Sequence, residues 1–151
     1  IQDSLVGSEM CIRDRILENT DNSLIKGNGK DLLRESEEME IIDDFTNGVY
    51  IRRMDVKKGC IVVGAIHNES HSWFLMHGTV LVADKDGVNC FKAPYYTKSN
   101  AGDQRFIEVL EDAVWINTHS NPDNGVDIKA IEKRLFSINK EEYKKHLKLK
   151  N

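Results

Sequence analysis

Three histidines carry the chemistry that this sequence can offer. His67 and His71 lie four residues apart in the run Gly59-Cys-Ile-Val-Val-Gly-Ala-Ile-His67-Asn-Glu-Ser-His71, and His119 closes the run Trp115-Ile-Asn-Thr-His119. Neutral imidazoles bind Zn, Fe, Ni or Mn, and three protein ligands leave positions open for water or a substrate, as in a catalytic rather than a structural site. The two near histidines straddle a predicted turn between strands, and in a small barrel such a turn brings both rings to one inward site. The competing reading is that each is a hydrogen-bonded core or rim residue of its strand. Glu69, between the first two, is either a ligand or general base or a solvated turn carboxylate. Arg105 carries a cation that would either repel a metal or grip a substrate carboxylate bidentately.

Other candidates are weaker. No GxSxG frame surrounds a serine, and Gly27-Asn28-Gly29-Lys30 lacks both the P-loop spacing and a preceding strand, which leaves nucleotide hydrolysis unsupported. Cys11, Cys60 and Cys90 fit neither a disulfide framework nor a CxxC zinc pair, and read as buried or idle thiols in a reducing compartment. Tyr50 and Arg52 alternate on one side of a predicted strand, facing the barrel interior or pairing with an acidic residue at its rim. Tyr95 and Tyr96 follow Pro94 in a predicted loop, where they pack or stack on a ligand. Trp73, Phe74 and Trp115 read as core or pocket wall, His77 as structural and His146 as part of a solvated tail.

The elements that must position these side chains are short strands. From Gly48 onward, runs rich in Val, Ile, Tyr, Phe and Trp are separated by Gly, Asn and Asp. The pattern predicts strands at 48–56, 60–66, 72–76, 79–84, 88–92, 104–110 and 114–119, with reversals at Lys57-Lys58-Gly59, Asp84-Lys85-Asp86-Gly87 and Asn100-Ala101-Gly102-Asp103. Strand after strand without an intervening helix predicts an all-β sandwich or barrel over 46–121. Residues 122–151 form a helical extension, with helices expected at 127–136 and 140–149; the first carries Ile128, Ile131 and Leu135 as a stripe that packs on the barrel. Residues 16–45 read as an N-terminal arm, with Leu32, Leu33, Met39, Ile41 and Ile42 too irregularly placed to assign an element, apart from a short helix around 30–38.

Composition narrows the class of function. The 151 residues carry a formal charge of −4, and no block of Lys and Arg interleaved with aromatics is present, which argues against a nucleic-acid partner. No apolar run reaches the length of a membrane span and no signal-peptide pattern opens the chain, so a cytoplasmic protein without a membrane partner is expected. Ser4 to Arg15, SLVGSEMCIRDR, resembles the in-frame translation of a transposase sequencing adapter found in metagenomic assemblies. On that reading 1–15 is non-native and the natural start is lost or lies near Ile16. Without those residues, 19 basic and 22 acidic side chains remain and the chain stays mildly acidic.

The frame around the histidines resembles the first motif of the cupin superfamily: Gly, five residues, His, one residue, His, three or four residues, Glu, six residues, Gly. Gly59, His67, His71 and Gly78 fall on it, while Ala65 stands where the first His belongs and His71 where the Glu belongs. The second cupin motif places a His three residues after a Pro-x-Gly turn, and here Asn100-Ala101-Gly102 leads to Arg105. The resemblance implies a jelly-roll β-barrel, a divalent transition metal, a small-molecule ligand and a capacity to form homodimers through its sheets. We expect His119 to replace the missing ligand, reaching residue 105 by a hairpin turn at Glu111-Asp112. The run from Gly48 to His119, about half of the chain, also looks like small cupins of phages and marine bacteria. Three function classes follow: a metal-dependent oxygenase, isomerase or lyase using His67, His71 and His119; a non-catalytic cupin that binds a small ligand; and a structural or accessory phage-type protein.

Overall fold

The computed structural model describes residues 24–26, 34 and 36–150. The adapter-like stretch 4–15, Cys11 and most of the helix expected at 30–38 lie outside them. The strands are β1 (Ile25–Lys26), β2 (Met39–Thr46), β3 (Val49–Val56), β4 (Ile61–Val63), β5 (Ile66–His67), β6 (His71–Asp84), β7 (Gly87–Lys92), β8 (Tyr95–Ser99), β9 (Phe106–Ser120) and β10 (Phe136–Ser137). Two helices, α1 (Ile128–Leu135) and α2 (Lys140–Lys150), follow the barrel.

Two long strands build the barrel by serving both of its sheets. The first half of β6 pairs β8, and its second half pairs β7. Along its other edge β6 pairs β9 from Ser72↔Thr118 to Ala83↔Phe106. β9 in turn pairs β3 through Ala113–Ser120 and β4 through Phe106–Glu108. The result is two curved sheets, β2-β3-β9-β6-β8 and β1-β4-β9-β6-β7, which share β6 and β9 and enclose the core as a jelly-roll β-barrel.

The expected all-β barrel with C-terminal helices is what the chain forms, but several strands differ from the sequence reading. The expected strands 104–110 and 114–119 are one strand, so the hairpin at Glu111-Asp112 does not exist. Those exposed polar residues mark the corner where β9 passes from one sheet to the other, as the register shifts of β6 beside them show. The expected strands 72–76 and 79–84 likewise join as β6 across Gly78. Residues 95–99, read as a loop, are a strand on the edge of β6. β2, read as irregular, pairs along its full length with β3. Its burial alternates residue by residue, but one inward position is Asp43, which accepts from the Tyr50 hydroxyl and pairs with Arg34, so apolar periodicity could not show it.

The core is built of Met39, Met54, Val56, Cys60, Trp73, Leu75, Val80, Val82, Ile107, Val109, Ala113 and Trp115, with Trp73 stacked on Trp115 at 4.0 Å between ring centroids. Each large apolar side chain fully buried here contributes about 1.5–3 kcal/mol. Asp127 caps α1 by accepting from the Ala130 amide, and Ile131 and Leu135 pack with Tyr50 and Phe136, so the stripe covers the barrel as expected. Cys60 is buried and Cys90 exposed, both as free thiols. Among the described residues no helix is long and apolar enough to cross a membrane.

Candidate metal centre

The strand register brings the three histidines together. Ser72 pairs with Thr118, so the next step along both strands sets His71, the first residue of β6, opposite His119 of β9. His67 ends β5 and reaches the same place across the turn Asn68-Glu69-Ser70. Ring centroids stand 4.0 Å apart for His67 and His71, 4.7 Å for His71 and His119, and 5.6 Å for His67 and His119. One ligand nitrogen from each lies within 4.8 Å of the others. Two imidazole nitrogens on one ion sit no more than about 4.2 Å apart, so small χ rotations suffice to close this set on a metal.

The polar atoms of the cluster are left unsatisfied by the protein. His67 Nδ1 and both ring nitrogens of His71 and His119 are buried without a well-formed hydrogen bond, the Glu69 backbone reaching His71 only in a loose contact. Buried imidazoles ordinarily have partners, and of these five nitrogens a metal would take one from each ring, the lone-pair nitrogen of the neutral form. Burial holds all three rings neutral. It drives the His67 pKa well below the usual range, aided by its two histidine neighbours. The His71 pKa falls to about 4, by burial and then by Arg105, and that of His119 to about 3, by burial and then by His71. Neutral imidazole is the form that ligates, and these residues fit a borderline divalent metal.

A pH dependence follows for the metal-free chain. Unfolded histidines titrate near 6.5, so below that pH the unfolded state binds protons that His71 and His119 refuse until about pH 4 and about pH 3. The stability of the neutral pair is present above pH 6.5 and is lost as pH falls from 6.5 toward 3. Urea midpoints measured from pH 7 to pH 4 should fall more steeply for the unsubstituted chain than for His71→Asn/His119→Asn.

A cavity of ≈ 110 Å³ opens beside the cluster, lined by His67, His71, Arg52, Arg105, Trp115 and Phe136 among others, with His119 outside its lining. Arg105 enters it from the start of β9. Its guanidinium lies 5.7 Å over Trp73, 3.5 Å from Asp103 and 3.9 Å from Asp84. Arg52 enters from β3, donates to Tyr50 Oη at 3.2 Å and pairs with Glu132 of α1 at 3.2 Å. Both readings of Arg52 thus hold at once: it faces inward and pairs with an acidic side chain. Glu69 is not part of the three-ring group and forms a 2.6 Å ion pair with Arg134 of α1. Tyr95 packs on Trp73 and Phe91, and Tyr96 on Phe74.

Sequence reasoning missed Phe136 and the part played by the C-terminal extension. β10 pairs with β5 in the register Phe136↔His67, and the Phe136 ring stands edge-on to His67 at 5.1 Å and to His119 at 5.6 Å. The only signal was that Phe136 and Ser137 end a helical stripe with two residues that fit a buried strand.

No protein-family model matches the sequence, and no curated protein does. Among solved structures, the chain is similar to ectoine synthase from P. lautus, with a TM-score of 0.53, 9% identity, and 65% of this chain and 75% of that one covered. It is also similar to a protein of unknown function from Vibrio parahaemolyticus, with a TM-score of 0.50, 6% identity, and coverage of 57% and 93%. An RmlC-like cupin family protein with a double-stranded β-helix fold from Methanocaldococcus jannaschii aligns with a TM-score of 0.49 and 11% identity over 62% of this chain and 90% of that one. The fold is a jelly-roll β-barrel. At these identities the likeness extends to the fold alone.

Proposed function

We propose that the chain is a metal-dependent enzyme acting on a small anionic molecule, with His67, His71 and His119 as ligands to one divalent transition metal, Fe, Mn, Ni or Zn. The observation that carries this reading is the cluster of five buried imidazole nitrogens without a well-formed hydrogen bond. A metal would engage one nitrogen of each ring, and each buried polar group left unsatisfied without it costs about 1–3 kcal/mol. A bound metal would supply Lewis acidity and, if redox-active, electron transfer.

The chain's own groups set what reaches it. Two arginines, Arg105 and Arg52, line the cavity together with Lys26, and the apolar part of the wall, including Trp115 and Phe136, sheds water from around them. Arg105 is the freer of the two, held by ion pairs of 3.5 and 3.9 Å, and orients a carboxylate in the cavity. Glu69 can serve as a general base only when its ion pair with Arg134 opens.

The test of the Arg105 role is acetate binding to the metal-loaded protein, read by tryptophan fluorescence. The chain's two tryptophans stack on each other, and Trp115 lines the cavity. Arg105→Ala should weaken acetate roughly tenfold or more, the worth of a charge-assisted hydrogen bond, while metal content stays unchanged. Equal acetate affinity in both proteins would remove Arg105 from the site. A chain that takes up no metal but still binds small anions would be a ligand-binding cupin, in keeping with Ala65 and Arg105 at two customary ligand positions.

A further inference from the structure

We infer that Phe136 is a specificity-determining residue, a fixed aromatic wall that limits how large a carboxylate can be beside the three histidines; this rests on the metal-site reading above. Its ring is 5% exposed, lines the cavity, and faces His67 and His119 edge-on at 83° and 86°. The Arg52 guanidinium lies 5.1 Å over the ring. Phe136 therefore contacts both a cation that attracts an anion and the imidazoles where that anion would react.

The wall does not swing aside, because the segment that bears it is pinned at several points. The Asn68 amide donates to Leu135 O at 2.7 Å, and Asn68 Nδ2 donates to Arg134 O at 3.0 Å. Ser137 Oγ donates to Asn68 Oδ1 at 2.6 Å, and Arg134 donates to Ser120 O at 2.8 Å, next to His119. Glu132 ties the same helix to Arg52. These bonds join the C-terminal segment to Asn68, next to His67, and to Ser120, next to His119, so the ring and those two imidazoles are fixed together. A rigid wall against a small cavity selects ligands by size, since overpacking a fixed site is costly.

The experiment uses the full chain loaded with Co(II), whose visible spectrum reports the metal and its neighbours, titrated with acetate and with benzoate. The unsubstituted protein should change its spectrum with acetate and bind benzoate at least about tenfold more weakly. Phe136→Ala should keep the Co(II) spectrum and reverse that preference, and Phe136→Leu, which restores most of the bulk, should return toward the original ratio. A benzoate-to-acetate ratio unmoved by Phe136→Ala overturns the inference. So does loss of Co(II) from both Phe136 variants, which would make the residue a support for the ligands rather than a filter. If the unsubstituted chain binds no Co(II), the metal-site reading fails first and carries this inference with it.

Discussion

Replacing His71 or His119 with alanine is expected to reduce metal affinity by roughly a hundredfold or more, since loss of even an outer-shell partner costs 10–100-fold. Both residues come from long strands in the barrel wall, and no other His, Cys, Asp or Glu among the described residues joins their cluster to replace them. The same substitutions bear on stability in the opposite sense. In the metal-free chain His119 is 2% exposed with both ring nitrogens unpartnered. Exchanging it for leucine removes about 1–3 kcal/mol of unsatisfied polarity and leaves the volume nearly filled. His119→Leu should therefore abolish metal uptake while leaving the urea midpoint of the metal-free protein equal or higher. A histidine kept for packing would give the reverse, unaltered metal content and a lower midpoint.

Gly78→Ala is expected to be the most damaging single methyl group in the barrel. Gly78 lies at the corner where β6 changes sheets, with φ +89°, and a Cβ there would stand 2.4 Å from Asp112 O and 2.9 Å from Ala113 Cα. Both neighbours are backbone of β9, and β9 is held on both edges, so neither can yield without unpairing the two shared strands. The left-handed conformation alone costs a non-glycine residue about 1–2 kcal/mol, and forcing backbone apart adds about 1–3 kcal/mol. Gly48 supplies the control, with φ +77° and nothing within 4 Å of its Cβ position. Urea denaturation should show Gly48→Ala losing only the conformational part and Gly78→Ala losing at least twice as much. Equal losses would mean that the corner is softer than its geometry implies.

The legible parts of this protein were those governed by local rules. Turn residues marked most reversals, β-branched and aromatic runs marked most strands, and the spacing of Ile128, Ile131 and Leu135 marked a helix that packs on the barrel. The pairing of His67 with His71 across a short turn was equally local. His119 was expected to join them through a hairpin at Glu111-Asp112, but it joins them through the register of β9 with β6, which no local pattern specifies. A polar pair in mid-sequence signals a turn when a chain reverses and a corner when a strand bends, and only the tertiary ladder separates the two.

The rest was hidden for related reasons. Asp43 on the inward face of β2 broke the alternation that would have revealed the strand, because its burial depends on Tyr50 and Arg34. Phe136 acquires its role from pairing with His67, far away in sequence, and looks like the end of a helix until β10 is placed beside β5. Glu69, singled out for lying between two histidines, forms an ion pair with Arg134 of α1, a partner distant in sequence that no local pattern reveals.

The measurement that bears most directly on the metal centre is X-ray absorption at the metal edge of the protein purified with its metal and quantified by elemental analysis, compared with His71→Ala and His119→Leu. A three-histidine centre predicts one metal per chain, a shell containing three imidazoles, and loss of both features in either variant while the barrel remains folded. A folded chain that acquires no stoichiometric metal, or one whose metal shell holds fewer than three imidazoles and survives both substitutions, would contradict it.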